Sequence, residues 1–494
     1  MRLLLLLCCL LTCCISAAAF QPPRIIFYSN NNSPPNIFRK STVHVFLSSN
    51  NNEDNDEGGD GSIAGASLLF AGTAVGAGMI ALPAETLNAG FIPSISGLSV
   101  CWLFTYVTSM LTLEASWLAF TQKEGESGDN NNNGGGFLSI SKLSLGVMGE
   151  VITAALFWFL LTAIVVAYTA EGGQLIAQFA KEFTDTTTII SPTVGSLLFA
   201  SCFASFAIAG TSRVDILNRV FVLGLVATFV GIVGTISPFV QVSNLVSQSD
   251  WTVVYPAGIS IGILSFGAQN VVPTILQYLN YDPQKTQKAI LIGSLIPLFL
   301  YTIWEAVFLG IIDASTVDSN SMEVVNVLGQ IGGTTVTDLV ELFSICAIGS
   351  SMAGASVSLV DFFVDALGLL SKDGSTSKTE KVQAVHNNTV GAGTRTIAAI
   401  FALVPPVLIS YAFPDVFLTA LEEAGLLGGV SLYGILPALC LLSLRSADNS
   451  SETKAMPGRL GGGKATLFAL LTISSALVLP EIVHVGRVVT DKLQ

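Results

Sequence analysis

The chain has 494 residues, 51% of them hydrophobic and 11% charged, with a formal net charge of −13 and a mean hydropathy of +0.68. That composition excludes a soluble multi-domain enzyme and calls for a polytopic membrane protein. The acidic balance leaves no basic patch for nucleic acid, and much of it comes from Glu53, Asp54, Asp56, Glu57 and Asp60, one polar run that reads as a solvated linker.

The opening "MRLLLLLCCLLTCCISAAAF" has one early arginine, a leucine-rich core too short to span comfortably and small residues before Phe20, which predicts a signal peptide over residues 1–19. Residues 20–61 are rich in Ser and Asn, carry Arg24, Arg39 and Lys40, and have no acid before Glu53, so they read as a transit-peptide-like segment running into an acidic disordered linker. The pair resembles a bipartite leader addressed to a plastid envelope membrane. An ordinary leader to an endomembrane or the plasma membrane is the alternative.

A helix needs about 20 mostly apolar residues to cross a bilayer. Eleven stretches qualify: 62–90, 92–120, 151–180, 193–210, 214–236, 251–279, 287–312, 337–370, 394–412, 414–441 and 465–480. Continuous apolar runs of this kind are not β-barrel strands, so the expected fold is all-α. With the first span entering from the positive side, fourteen loop lysines and arginines fall on one side and Lys181 alone on the other, before the termini are counted. Cys101, Cys202, Cys346 and Cys440 fall inside spans and read as small apolar residues.

Two spans are interrupted. "GTAVGAGMIALP" (72–83) carries Gly72, Gly76 and Gly78 ahead of Pro83, and "GILSFGAQNVVPTILQYL" (262–279) is divided at Gly267 and Pro273 around Gln269 and Asn270. Unpaired backbone groups in lipid cost several kcal/mol each, so broken helices survive only where protein or a cavity supplies partners. They are spans one and six, corresponding positions in halves 62–236 (helices 1–5) and 251–441 (helices 6–10), with 442–494 left for a linker, helix 11 and a short tail. This is the pattern of an inverted-repeat transporter with its site at the bilayer midplane. N–H groups near Gly76, Ala77 and Gly78 suit a carboxylate, and carbonyls freed near Ala71, Gly72, Ser265 and Phe266 suit an ammonium group. An amino acid offers both.

These motifs resemble those of the aromatic amino acid permeases, the tyrosine- and tryptophan-specific transporters of the amino acid/polyamine/organocation superfamily. "AGTAVGAGMIALP" matches their first span, "SFGAQNVVPTILQYL" is similar to their sixth, and "KAILIGSLIPLFLYTIWEAVFLG" (288–310) to their seventh. The resemblance runs from about residue 62 to 480. It implies a 5+5, LeuT-like fold, proton-coupled symport by alternating access, and substrate contact at Gly72, Thr73, Gly76, Gly78, Ser265, Phe266 and Gly267, to which the broken helices themselves add Ala77, Gln269 and Asn270. The chain departs from the bacterial pattern at "FGAQN", where the bacterial sixth span has a histidine after "FGF", and at Glu171, where it has small residues.

Glu171 and Glu305 are the acids set deepest in apolar sequence, and an acid there faces a cavity or a partner. Both are candidate proton carriers. Glu171 shares a helical face with Tyr168, Gln174 and Gln178. Glu85, Glu114, Asp361 and Asp365 are placed nearer the interfaces, where water lowers their cost. Trp158, Phe159, Tyr168, Phe266 and Trp304 are the rings available to wall an aromatic substrate. The alternatives are a sodium-coupled or neutral amino-acid carrier using Ser350, Ser351 and Ser356, and a channel or receptor on the same scaffold. "GISIG" (258–262) spells a hydrolase elbow, but the three histidines, His44, His386 and His484, lie away from span centres. No enzyme activity, cofactor or metal site is expected.

Overall fold

The computed structural model of the protein describes residues 61–126, 136–183, 191–209, 211–247, 250–252, 254, 258–311, 333–370, 392–447, 456–458 and 463–493. Residues 1–60, with the expected leader and linker, lie outside them. Among the described residues ten helices are long and apolar enough to cross a membrane, and one further pair of helices makes a bent eleventh crossing.

That pair is the first span. Helix α1 (Ile63–Ala74) begins where Ser62 Oγ accepts the Gly65 N–H at 3.0 Å, satisfying one of the orphan donors of a helix start. It stops at Val75, whose ψ of 117° is extended. Helix α2 (Gly78–Thr86) resumes at 55° to α1. Then follow α3 (Phe91–Glu126) and α4 (Phe137–Phe183). Gly146, at φ 70° and ψ −161°, cuts α4 in a conformation side chains resist, so residues 137–145 form a separate short helix before the third crossing. Next come α5 (Pro192–Ala209), α6 (Thr211–Ile236) and the short α7 (Val242–Ser247).

The sixth span is also two helices. Helix α8 (Ile259–Ser265) ends at Phe266, a 3-10 turn covers Gln269–Val271, and α9 (Val272–Tyr278) completes the crossing. Pro273 sits in the first turn of α9, where no intrahelical donor is lost. The proline therefore starts the second half, and the chain is broken by residues 266–268. Beyond it lie α10 (Pro283–Ile311), α11 (Thr334–Leu370) and α12 (Ala392–Ala412). The tenth crossing joins α13 (Phe417–Glu423) to α14 (Leu436–Ala447) through Ala424–Ile435, wound as a π-helix, and α15 (Gly463–Leu493) is last.

Two groups of helices enclose the broken spans. Helices α1, α3, α9 and α10 pack together, and α4, α5, α11 and α12 form the second group with α6 along α11. The first has its own apolar core, built from Leu69 and Phe70 of α1, Leu113 of α3, Ile275 and Leu276 of α9 and Ile290 of α10. In the second, a Cβ on Gly195 would run into the backbone at Gly173, so α4 and α5 touch main chain to main chain. Close approach through small residues is how helices associate in lipid, where no hydrophobic force drives them together. Two ion pairs cross the bundle. Arg445 donates to both oxygens of buried Glu114 at 2.9 and 2.6 Å, and Arg395 meets Asp361 at 2.9 Å. Each of these acids is held by an arginine.

Candidate functional site

The breaks face one another across a cavity of about 260 Å³. Its floor is residues 72–78 of the first span, and Leu264, Ser265, Gly267 and Asn270 come from the sixth. Helix α4 supplies Phe157, Leu160, Leu161, Ile164 and Tyr168; α6 supplies Val214, Asn218 and Val222; α11 supplies Ser350 and Ser351; Tyr433 comes from the π-helical stretch.

The first break needs glycine for clearance. A Cβ on Gly76 would stand 2.6 Å from Ser351 Oγ, and one on Gly78 would collide with Ser265 Oγ. Helices α11 and α8 thus approach the main chain where it changes direction. Among the described residues the N–H groups of Gly76 and Gly78 have no partner, while Ala77 N–H donates to Ser351 Oγ at 3.0 Å. On the carbonyl side, Ala71 O accepts Val75 N–H at 2.9 Å. Tyr301 of α10, fully buried, places its hydroxyl 2.9 Å from Ala74 O and 3.0 Å from Ser265 O, joining the last turns of α1 and α8 through one group. Gly72 O and Thr73 O accept nothing from the described residues.

At the second break Phe266 N–H returns to Gly262 O at 3.1 Å and Gly267 N–H to Leu264 O at 3.0 Å. The cavity receives side-chain atoms instead. Ser265 Oγ and Asn270 Oδ1 are buried with no hydrogen-bond partner, and such groups are rare unless something absent from the protein pairs with them.

Of the ten expected contact residues, Gly72, Thr73, Gly76, Ala77, Gly78, Ser265, Gly267 and Asn270 line this cavity. Phe266 and Gln269 do not. Phe266 packs edge-on against Tyr301 at 5.2 Å, and Gln269 turns away to donate to Thr108 Oγ1 at 3.0 Å and Thr105 O at 3.3 Å, fastening the break to α3. Of the expected rings only Tyr168 reaches the cavity. Trp304 is instead packed between Phe308 and Phe343 at 4.3 and 4.6 Å. Phe157, Asn218 and Tyr433 line the cavity without having been singled out in the sequence, because nothing local marks which face of an apolar helix meets a void.

Glu171 is buried on α4, one turn past Tyr168 and outside the cavity. The polar stripe it belongs to is spent on neighbouring elements, Gln174 donating to Pro414 O at 3.1 Å and Gln178 to Glu341 Oε1 at 2.6 Å. Glu305 is fully buried on α10, one turn past Tyr301, with its Oε2 2.8 Å from Thr86 Oγ1 at the end of α2.

Comparison with known proteins bears on this arrangement. The profile of the tryptophan/tyrosine permease family matches residues 60–479. Tyrosine-specific transport system 2 of Haemophilus influenzae is 26% identical over 423 residues, 84% of this chain and 95% of that protein. Tryptophan-specific transport protein of Pseudomonas aeruginosa is 27% identical over 421 residues, 83% of this chain and 92% of its own. Glutamine transporter 2 of Aliivibrio fischeri is 27% identical over 434 residues, 84% and 98% respectively. The crystal structure of MhsT in complex with L-phenylalanine superposes with a TM-score of 0.53 at 12% identity, covering 86% of this chain and 99% of that one. This likeness is one of fold, and it shows the expected LeuT-like architecture. With two broken spans around one cavity and a family profile over most of its length, this chain belongs to the tryptophan/tyrosine permease family, a family of multi-pass membrane transporters and not of enzymes.

Proposed function

We propose that the protein is a secondary transporter that moves an aromatic amino acid together with a proton by alternating access. The observation that carries this reading is the juxtaposition, in one cavity, of two unpaired N–H groups at Gly76 and Gly78 with the unpartnered oxygens of Ser265 and Asn270. The N–H groups stand at the start of α2, the positive end of its dipole, and would take the carboxylate. An ammonium group has three donors and no acceptor, and the carbonyls of Gly72 and Thr73 would take it, leaving Ser265 Oγ and Asn270 Oδ1 to meet the rest of the substrate. Phe157, Leu160, Leu161, Ile164, Tyr168 and Tyr433 supply an apolar, ring-bearing wall for the side chain. Relatives named for tyrosine and tryptophan transport support an aromatic substrate; the glutamine transporter among them is the reason to measure selectivity rather than assume it.

The test is uptake of labelled tyrosine into vesicles holding the purified full-length protein. Saturable accumulation driven by an inward acid gradient, competed by tryptophan and phenylalanine, is the expected result. Accumulation that follows sodium and ignores pH would replace the coupling ion. Competition by glutamine with none by aromatics would replace the substrate, and flux that never saturates would make the protein a channel.

A further inference from the structure

We infer that Glu305 and Thr86 form a proton-operated latch between α10 and the end of α2, resting on the proton-coupled reading above and assigning the proton to a particular carboxyl. Thr86 Oγ1 lies 2.8 Å from Leu82 O, one turn back in its own helix, and 2.8 Å from Glu305 Oε2. A hydroxyl has one hydrogen, and a carbonyl oxygen can only accept. Each contact is a full hydrogen bond, with no hydrogen shared between two acceptors, when Glu305 carries the second hydrogen and donates it to Thr86. The other carboxyl oxygen, Oε1, is buried with no partner. Left as half of an ionised carboxylate it would be an uncompensated buried charge, whereas in the acid form it is one neutral acceptor.

The surroundings hold no substitute for the proton. Among the described side chains, the titratable ones on the elements packed against α10 are Glu85 of α2, Cys101, Tyr106 and Glu114 of α3, Arg219 of α6 and Tyr278 of α9; none makes a hydrogen bond or ion pair to Glu305. Glu114 is taken by Arg445, Tyr278 accepts Ser62 N–H, and the acid that Glu85 senses is Glu422. Helix α11, which meets Trp304 through Phe343, carries Glu341, already bonded by Gln178.

Position gives the latch its consequence. Tyr301, one turn before Glu305, ties α10 to the last carbonyls of α1 and α8 beside the cavity. Glu305 ties the same helix to the far end of α2. One half of the first span is thus held by a fixed hydroxyl and the other by a contact that is neutral only while Glu305 keeps its hydrogen. Loss of that hydrogen leaves a buried carboxylate: Thr86 can turn its own hydrogen from Leu82 O to Oε2, but Oε1 then carries charge with no partner, which favours a state in which α10 and the end of α2 separate far enough to admit water while α1 stays attached, so the angle between the two halves becomes dependent on protonation.

Glu305→Gln keeps a permanent donor where the acid has a removable one. In vesicles loaded with a pH-sensitive dye, the wild type is expected to accumulate tyrosine down an acid gradient and to acidify the lumen as it does so. Glu305→Gln is expected to lose at least about tenfold of that accumulation and all the acidification while still exchanging internal for external tyrosine, since a transition free energy altered by one buried hydrogen bond is of that order. A variant that accumulates and acidifies like the wild type overturns the latch alone. A wild type that ignores the pH gradient overturns the proton-coupled reading, and the latch with it. If Glu305→Gln fails to exchange, Thr86→Val decides: the latch requires the pH dependence of uptake to be displaced when the hydroxyl is gone, and an unmoved profile overturns it.

Discussion

The two broken spans reach the same cavity by different means. At the first, the chain changes direction by 55° over three residues and offers main chain: the Gly76 and Gly78 N–H groups on one side, the Gly72 and Thr73 carbonyls on the other. At the second, Phe266 and Gly267 fold their N–H groups back onto α8, and the cavity is met by Ser265 Oγ and Asn270 Oδ1. Main-chain groups recognise what every amino acid shares. Side chains can be exchanged one by one, so on the proposed function the common head of the substrate would fall chiefly to the first span, and the sixth span and the walls of α4 would tune selectivity.

Substitutions at the breaks can test that division. The largest effect is expected at Gly78→Val, because the added Cβ collides with Ser265 and drives the halves apart; overpacking of about 1–3 kcal/mol at the site itself should remove binding of labelled tyrosine, roughly 10- to 100-fold, for every amino acid tested. Tyr301→Phe should be next. It leaves two buried carbonyls without their shared donor, a loss of about 1–3 kcal/mol, read as an approximately tenfold fall in transport with the order of substrate preference unchanged. Asn270→Ala should weaken uptake about fivefold, the scale of one hydrogen bond near 1 kcal/mol, and competition assays should show the order among tyrosine, tryptophan and glutamine rearranged. The smallest transport effect belongs to Gln269→Leu. Its bonds to Thr105 and Thr108 hold the break to α3, so thermal unfolding in detergent should fall by the equivalent of about 1 kcal/mol with affinity unmoved. If Gln269→Leu altered selectivity and Asn270→Ala did not, the two roles would have to be exchanged.

The sequence made the architecture legible because apolar length is a coarse signal, and a span survives errors of several residues at either end. The breaks were legible for the same reason that they exist: glycine and proline cannot be spent at the centre of a span without compensation. What the glycines do there was not. Gly76 and Gly78 read as helix breakers, yet the structure uses them as clearance for Ser351 and Ser265, and a contact with a residue nearly 200 or 300 positions away leaves no local mark. Gln269 and Asn270 are adjacent and equally polar, but a 3-10 turn sends one to α3 and the other to the cavity. Nothing in the sequence marks Tyr301, and its hydroxyl acquires a role only once two helix ends converge on it. The arginine that pairs with Glu114, Arg445, lies 331 residues away and leaves no local mark beside it. Gly146 carried no periodicity signal against the apolar run that follows it.

The tenth crossing adds a mechanical consequence. Over Ala424–Ile435 its hydrogen bonds skip one residue more per turn than an α-helix allows, and Gly425, Gly428 and Gly434 press that stretch against Ser260, Leu160 and Ser474. Rewinding that stretch as an α-helix would turn its residues about the helix axis, and Tyr433, near its end, would swing relative to the cavity wall it lines. The winding of the tenth helix and the shape of that part of the cavity wall are therefore not independent.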